Sequence, residues 1–106
     1  MKILIVEDED IYFNQLEIFI STIQKEESFN DTFEITRFKS GLEMLEHFAP
    51  NTFDLLLADI GLPDIDGISM CEKIREKDDK IVISFITSLS QYAIRGYVVN
   101  AVDYIL

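Results

Sequence analysis

The sequence predicts an α/β domain built on a parallel sheet, and three observations carry that reading. The runs Lys2-Ile3-Leu4-Ile5-Val6, Phe53-Asp54-Leu55-Leu56-Leu57-Ala58 and Ile81-Val82-Ile83-Ser84-Phe85-Ile86 are apolar without period-2 alternation and stop abruptly. Strands buried on both faces read this way. Stretches of helical periodicity separate the runs, which is the rhythm of right-handed βαβ crossovers. The first two runs end in acid, Glu7-Asp8-Glu9-Asp10 and Asp59. Open α/β sheets place their sites beyond the carboxyl ends of the strands, so Glu7, Asp8 and Asp59 are expected to share one crevice.

Each element has its own signal. Residues 2–6 form the first strand. Residues 10–25 are expected to be helical, with Ile11, Leu16, Phe19, Ile20 and Ile23 near helical spacing. Residues 26–32 are polar and turn-like. Phe33 to Phe38 alternates and suits an outer strand. Ser40 is a plausible N-cap for a helix to about His47, with Glu43 three residues on as in a capping box. Residues 53–58 make the central strand. Gly67 to Lys77 is expected to be a helix with Ile68, Cys71 and Ile74 facing inward. Ile81 to Ile86 is a strand that runs into Thr87, Ser90 to Gly96 a short helix, and Ala101 to Leu106 a last strand. A doubly wound sheet needs helices on both faces. The sequence ends inside the fifth strand with no helix after it, so residues 1–106, read as one domain, are expected either to be a fragment of a longer polypeptide or to have that face covered by another element.

Bulk composition narrows the function classes. With 106 residues and 48% hydrophobic content, the chain supports one core and is not of disordered composition. No apolar run approaches the roughly 20 residues of a membrane span. No signal peptide is apparent, and the default expectation is cytoplasmic. A single cysteine, Cys71, excludes an internal disulfide and fits a reducing compartment. A net charge of −11 repels phosphate backbones, so direct nucleic-acid binding by this domain is not expected.

Three carboxylates in one crevice repel one another and call for a cation, and oxygen-only ligation suits Mg²⁺. An aspartate after a strand is ordinarily a turn or cap residue. For Asp59 that reading weakens, because Gly61-Leu62-Pro63-Asp64-Ile65-Asp66-Gly67 forms a stiff loop in which Pro63 fixes its φ and Gly67 permits the turn into the helix. A carboxylate beside a divalent cation can attack phosphorus to give an acyl phosphate. Glu9 and Asp10 read as a solvated or capping first turn. Cys71 reads as core. His47 has no second ligand at metal spacing. No GK[ST] loop exists, which excludes a P-loop hydrolase. Tyr104 by itself reads as a core aromatic.

Taken together, Ile3–Asp8, Asp59-Ile60-Gly61-Leu62-Pro63 with Asp66-Gly67, Phe85-Ile86-Thr87 and Ala101-Val102-Asp103-Tyr104-Ile105-Leu106 resemble the receiver domain of bacterial response regulators. Gln91–Tyr97 followed by Asn100–Tyr104 looks most like receivers of the LytTR-type (LytR/AgrA-like) subfamily. The resemblance implies a flavodoxin-like fold with a five-stranded parallel sheet in the order 2-1-3-4-5. It implies that Asp59 accepts a phosphoryl group from a sensor histidine kinase, so that the domain catalyses its own phosphorylation and dephosphorylation. Mg²⁺ would be held by Asp8, by Asp59, by the backbone carbonyl of Gly61 and, through a water, by Glu7. Thr87 would bond the phosphoryl group and Tyr104 would turn inward as Thr87 shifts. Output would pass to a downstream DNA-binding effector that controls transcription. The family's Lys and last helix would follow Leu106, and an uncovered sheet face would favour a homodimer. Gly61 and Leu89, at positions that influence hydrolysis, imply a slowly lost phosphoryl group. Two other classes compete: a pseudo-receiver that binds partners without taking phosphate, and a Mg²⁺-dependent aspartyl phosphohydrolase. The hydrolase reading is weakened by Gly61, which stands where a second acid would be needed.

Overall fold

The computed structural model describes residues 1–26, 32–59 and 61–86, and the backbone of 103–105. Five strands, β1 (Lys2–Val6), β2 (Glu34–Phe38), β3 (Leu55–Asp59), β4 (Val82–Ile86) and β5 (Asp103–Ile105), form one sheet in the order β2-β1-β3-β4-β5. Every pairing is parallel. The helices are α1 (Asp10–Glu26), α2 (Gly41–His47) and α3 (Gly67–Lys77). The expected fold class and strand order are therefore those found. The turn expected at 26–32 and the helix expected at 90–96 fall largely or wholly outside the described residues.

Alternate residues of the central strands serve two cores, as pleating requires. Leu4, Val6, Leu56, Ala58, Ile83 and Phe85 meet Met44 of α2 and Ile68, Met70, Cys71 and Ile74 of α3. On the opposite face, Ile3, Ile5 and Leu57 meet Ile20 of α1, with Phe13 and Leu16 against them. Both faces are thus apolar, and this is why the runs lack alternation.

The helix expected at residues 10–25 is found, but the apolar residues near helical spacing do not all turn inward. Ile20 is buried, whereas Ile11 and Phe19 are 64% and 55% exposed. At 100° per residue, Ile11 lies half a turn from Ile20, while Phe13, Leu16 and Ile20 share one stripe. The α2 start is as expected: Ser40 is the N-cap and its hydroxyl accepts from the Glu43 amide at 3.1 Å. At α3 the cap is Asp66, whose carboxylate accepts from the Ile68 amide. Gly67 needs no left-handed backbone there, since no glycine among the described residues has positive φ. Its role as a turn-permitting residue is corrected accordingly: a side-chain cap starts α3.

Among the described residues, no helix is long and apolar enough to cross a membrane.

Candidate functional site

Strand register assembles the site. β1 and β3 pair with Val6 opposite Ala58, so the next residues, Glu7 and Asp59, emerge side by side at the carboxyl edge. The neighbouring strand β4 pairs Ile86 with Asp59. Glu7, Asp8 and Asp59 each offer a carboxylate oxygen, and these atoms lie within 4.8 Å of one another. Among the described residues this is the acidic group able to hold a metal ion. The sequence expectation that these three converge is met.

Glu7 is the buried member, only 5% exposed, and its Oε2 has no hydrogen-bond partner. Burial pushes its carboxyl up to about 8. The Asp59 carboxylate adds to this by charge and by a hydrogen bond, with smaller contributions from Asp8 and Glu9. A buried, unpartnered carboxylate oxygen beside two more carboxylates is costly as it stands. A divalent cation answers all three, and an all-oxygen donor set suits Mg²⁺. The residues present therefore fit such an ion.

The loops around these side chains are tied down. The Gly61 amide donates to Asp59 Oδ1 at 2.9 Å, orienting that carboxylate from the residue two places on. A Cβ at Gly61 would meet that same oxygen at 3.6 Å, an ordinary contact. Farther along the loop, Asp64 reaches across to the start of α2. Its Oδ2 accepts from the Ser40 hydroxyl at 2.6 Å and the Leu42 amide at 3.0 Å, and its Oδ1 from the Gly41 amide at 3.4 Å. On the β1 side, Glu7 donates its amide to the Phe38 carbonyl at 3.1 Å. The Glu7 carbonyl accepts from Arg37 Nε at 3.1 Å and Nη2 at 2.9 Å.

Other expected residues divide into two groups. Thr87 and Leu89 lie outside the described residues, and Tyr104 is described only in its backbone, which pairs with Phe85. Cys71 is buried in the core, and burial pushes its thiol up to about 12, so it is no nucleophile at neutral pH. His47 stacks on Phe38 with ring centroids 5.8 Å apart and bonds the Glu43 carbonyl through Nδ1. Asp10, expected to be solvated or capping, is exposed and pairs with Arg37 and Lys39 at 2.7 and 3.2 Å. Arg37 and Asp64 were not anticipated as residues that shape the site. Asp64 lies in the loop that the sequence marks as stiff, but no spacing marks the partners of either residue, which lie 22 to 30 positions away.

The family profile of the response regulator receiver domain matches residues 3–106. The sensory transduction protein LytR of Staphylococcus epidermidis is 36% identical over 107 residues, covering all of this chain and 40% of that protein. The transcriptional regulatory protein LytR of Staphylococcus aureus is 33% identical over 106 residues, with 41% of that protein covered. The chain spans about two fifths of the length of these relatives. Among solved structures, the non-phosphorylated HemR receiver domain of Leptospira biflexa superposes with a TM-score of 0.80 at 26% identity, over 98% of this chain and 79% of that one. The response regulatory domain of MrkE from Klebsiella pneumoniae gives 0.77 at 33% identity, over 100% and 82%. The response regulator TrrA of Thermotoga maritima, solved in complex with Mg²⁺ and BeF, gives 0.74 at 29% identity, over 99% and 84%.

Proposed function

The chain belongs to the response regulator receiver domain family, and from that premise we propose that residues 1–106 form a phosphoacceptor domain of a two-component system, with Asp59 as the acceptor. The observation that carries the reading is the crevice of Glu7, Asp8 and Asp59 with its buried, unpartnered Glu7 oxygen. The phosphoryl donor is the phosphohistidine of a sensor histidine kinase. An Asp59 carboxylate oxygen forms a bond to phosphorus, the P–N bond of the donor breaks, and the histidine nitrogen leaves with its electron pair.

Each residue has a part in that step. Mg²⁺, when bound, offsets repulsion between the carboxylates and the incoming phosphoryl oxygens. Asp8, Asp59 and the Gly61 carbonyl would hold the ion, with Glu7 contributing through a water. The Gly61 amide keeps Asp59 oriented for attack. Thr87 bonds a phosphoryl oxygen, and Tyr104 follows its shift to alter the neighbouring surface. The signal passes to an effector of LytTR type that binds DNA; the part of this reading that concerns transcription is supported by the name of the Staphylococcus aureus relative, a transcriptional regulatory protein.

Intact mass after incubation with acetyl phosphate tests this. The expected result is a gain of one phosphoryl group with Mg²⁺, none with EDTA, and none in Asp59→Asn. No gain in the wild type under any condition would leave a partner-binding pseudo-receiver instead.

A further inference from the structure

We infer that Arg37 is the positioning residue of the acidic crevice, its guanidinium fork setting the peptide from which Glu7 and Asp8 project. This deepens the phosphoacceptor reading and rests on it for its functional meaning.

Strand β1 ends at Val6, so beyond it no regular ladder constrains the chain. Yet both polar atoms of the Glu7 main chain are engaged, and by consecutive residues of β2. Phe38 accepts from the Glu7 amide at 3.1 Å. Arg37 donates twice to the Glu7 carbonyl, from Nε at 3.1 Å and Nη2 at 2.9 Å. The peptide bond after Glu7 is planar, so holding its carbonyl also fixes the plane from which Asp8 departs. The guanidinium is itself immobilised on two more sides. Nη1 donates to Asp10 Oδ1 at 2.7 Å, and Cζ sits 4.4 Å from the centroid of the Phe13 ring. The Arg37 side chain is only 16% exposed.

Only arginine carries this pattern. Three N–H groups in one rigid plane reach a carbonyl and a carboxylate while the face stacks on an aromatic ring. A lysine ammonium keeps the charge but not the fork. Arg37 thus stands to the carboxylates as an outer-shell partner stands to a metal ligand: it touches no reacting atom, and acts through the direction in which Glu7 and Asp8 point.

The test uses Mn²⁺ as a spectroscopic probe, with free ion counted by electron paramagnetic resonance in the wild-type chain, Arg37→Gln, Arg37→Lys, Asp59→Asn and Ile20→Val. Ile20 is a core residue beneath α1, so its truncation is the control for lost stability alone. The wild type should bind Mn²⁺ and Asp59→Asn should bind it poorly. Arg37→Gln should weaken binding by about tenfold, with Arg37→Lys between it and the wild type. Ile20→Val should leave the affinity unchanged while lowering the melting temperature. Phosphorylation by acetyl phosphate in both Arg37 variants should return to the wild-type rate at saturating Mg²⁺. The inference is overturned if Arg37→Gln, or Arg37→Lys should the glutamine variant not fold, binds Mn²⁺ within about twofold of the wild type. It is equally overturned if Ile20→Val loses as much affinity. A wild type that binds no Mn²⁺ would instead sink the phosphoacceptor reading, and this inference with it.

Discussion

At Glu7, burial and neighbouring charge act in the same direction, and this has a consequence for stability. The unfolded chain releases this proton near 4.5, the ordinary value for a glutamate, whereas in the folded protein it is kept to about 8. Between those values the folded state binds more protons than the unfolded state. The contribution of this group is therefore fully present below 4.5, is lost progressively as pH rises, and is gone above 8. Melting of the metal-free protein in EDTA should accordingly fall from pH 5 to pH 8. Glu7→Gln should flatten that slope and stabilise the apoprotein at pH 8 by about 1–3 kcal/mol, several degrees for a domain of this size. A Glu7→Gln protein that melts lower than the wild type at pH 8 would refute the argument. Since the proton competes with a cation, apparent Mg²⁺ affinity should climb over the same interval in the wild type only. Glu7, Asp8 and Asp59 were legible in the sequence because a strand end is a local signal, an apolar run breaking into acid. Arg37 was not, because a side chain reaching 30 positions back along the chain leaves no trace in spacing.

The loop after β3 and the start of α2 are built as one unit. A Cβ on Gly41 would clash with Ile65 Cγ2 and sit 3.0 Å from Met70 Sδ. Helix propensity favours alanine over glycine by up to about 1 kcal/mol, but overpacking costs about 1–3 kcal/mol. Gly41→Ala should therefore lower the melting temperature, and an unchanged or raised value would mean that Ile65 moves freely. At the opposite edge of the sheet, buried Asp78 performs a comparable task. Its carboxylate accepts from the amides of Asn51, Lys80 and Ile81 at 3.0, 2.9 and 3.1 Å, tying together the chain entering β3 and β4. Asn51 stands at φ 61°, a conformation asparagine tolerates better than most residues. Asp78→Ala should cost about 2–3 kcal/mol in chemical denaturation yet leave unchanged the phosphoryl uptake proposed for Asp59, since the two lie at opposite ends of the strands. Strands, helices and the Ser40 cap could be read from the sequence because each rests on near-neighbour rules. The exposure of Ile11 and Phe19 could not, because the apolar residues of α1 exceed what one stripe can bury and the sheet decides which stripe turns inward.

The whole molecule carries a net charge of −11, and its acidic crevice is one part of that field. Two effects of Mg²⁺ on stability must then be separated. Any salt screens long-range repulsion among the surface carboxylates, with a Debye length near 10 Å at 0.1 M. A site-bound ion adds a stabilisation that grows with its concentration relative to Kd, about 1.4 kcal/mol at ten times Kd. Mg²⁺ should therefore raise the melting temperature beyond NaCl at matched ionic strength. The excess should be larger at pH 8 than at pH 6, where Glu7 retains its proton. Asp59→Asn should remove most of the excess, because it takes away one of the three charges that make the crevice costly when empty of cation. Asp78→Ala should keep it, since Asp78 is engaged by three backbone amides far from the crevice. Equal shifts with NaCl and Mg²⁺ in every variant would mean that the charge acts only as a diffuse field. A shift specific to Mg²⁺ and confined to variants with an intact crevice would locate the cation requirement where strand register brings Glu7 beside Asp59.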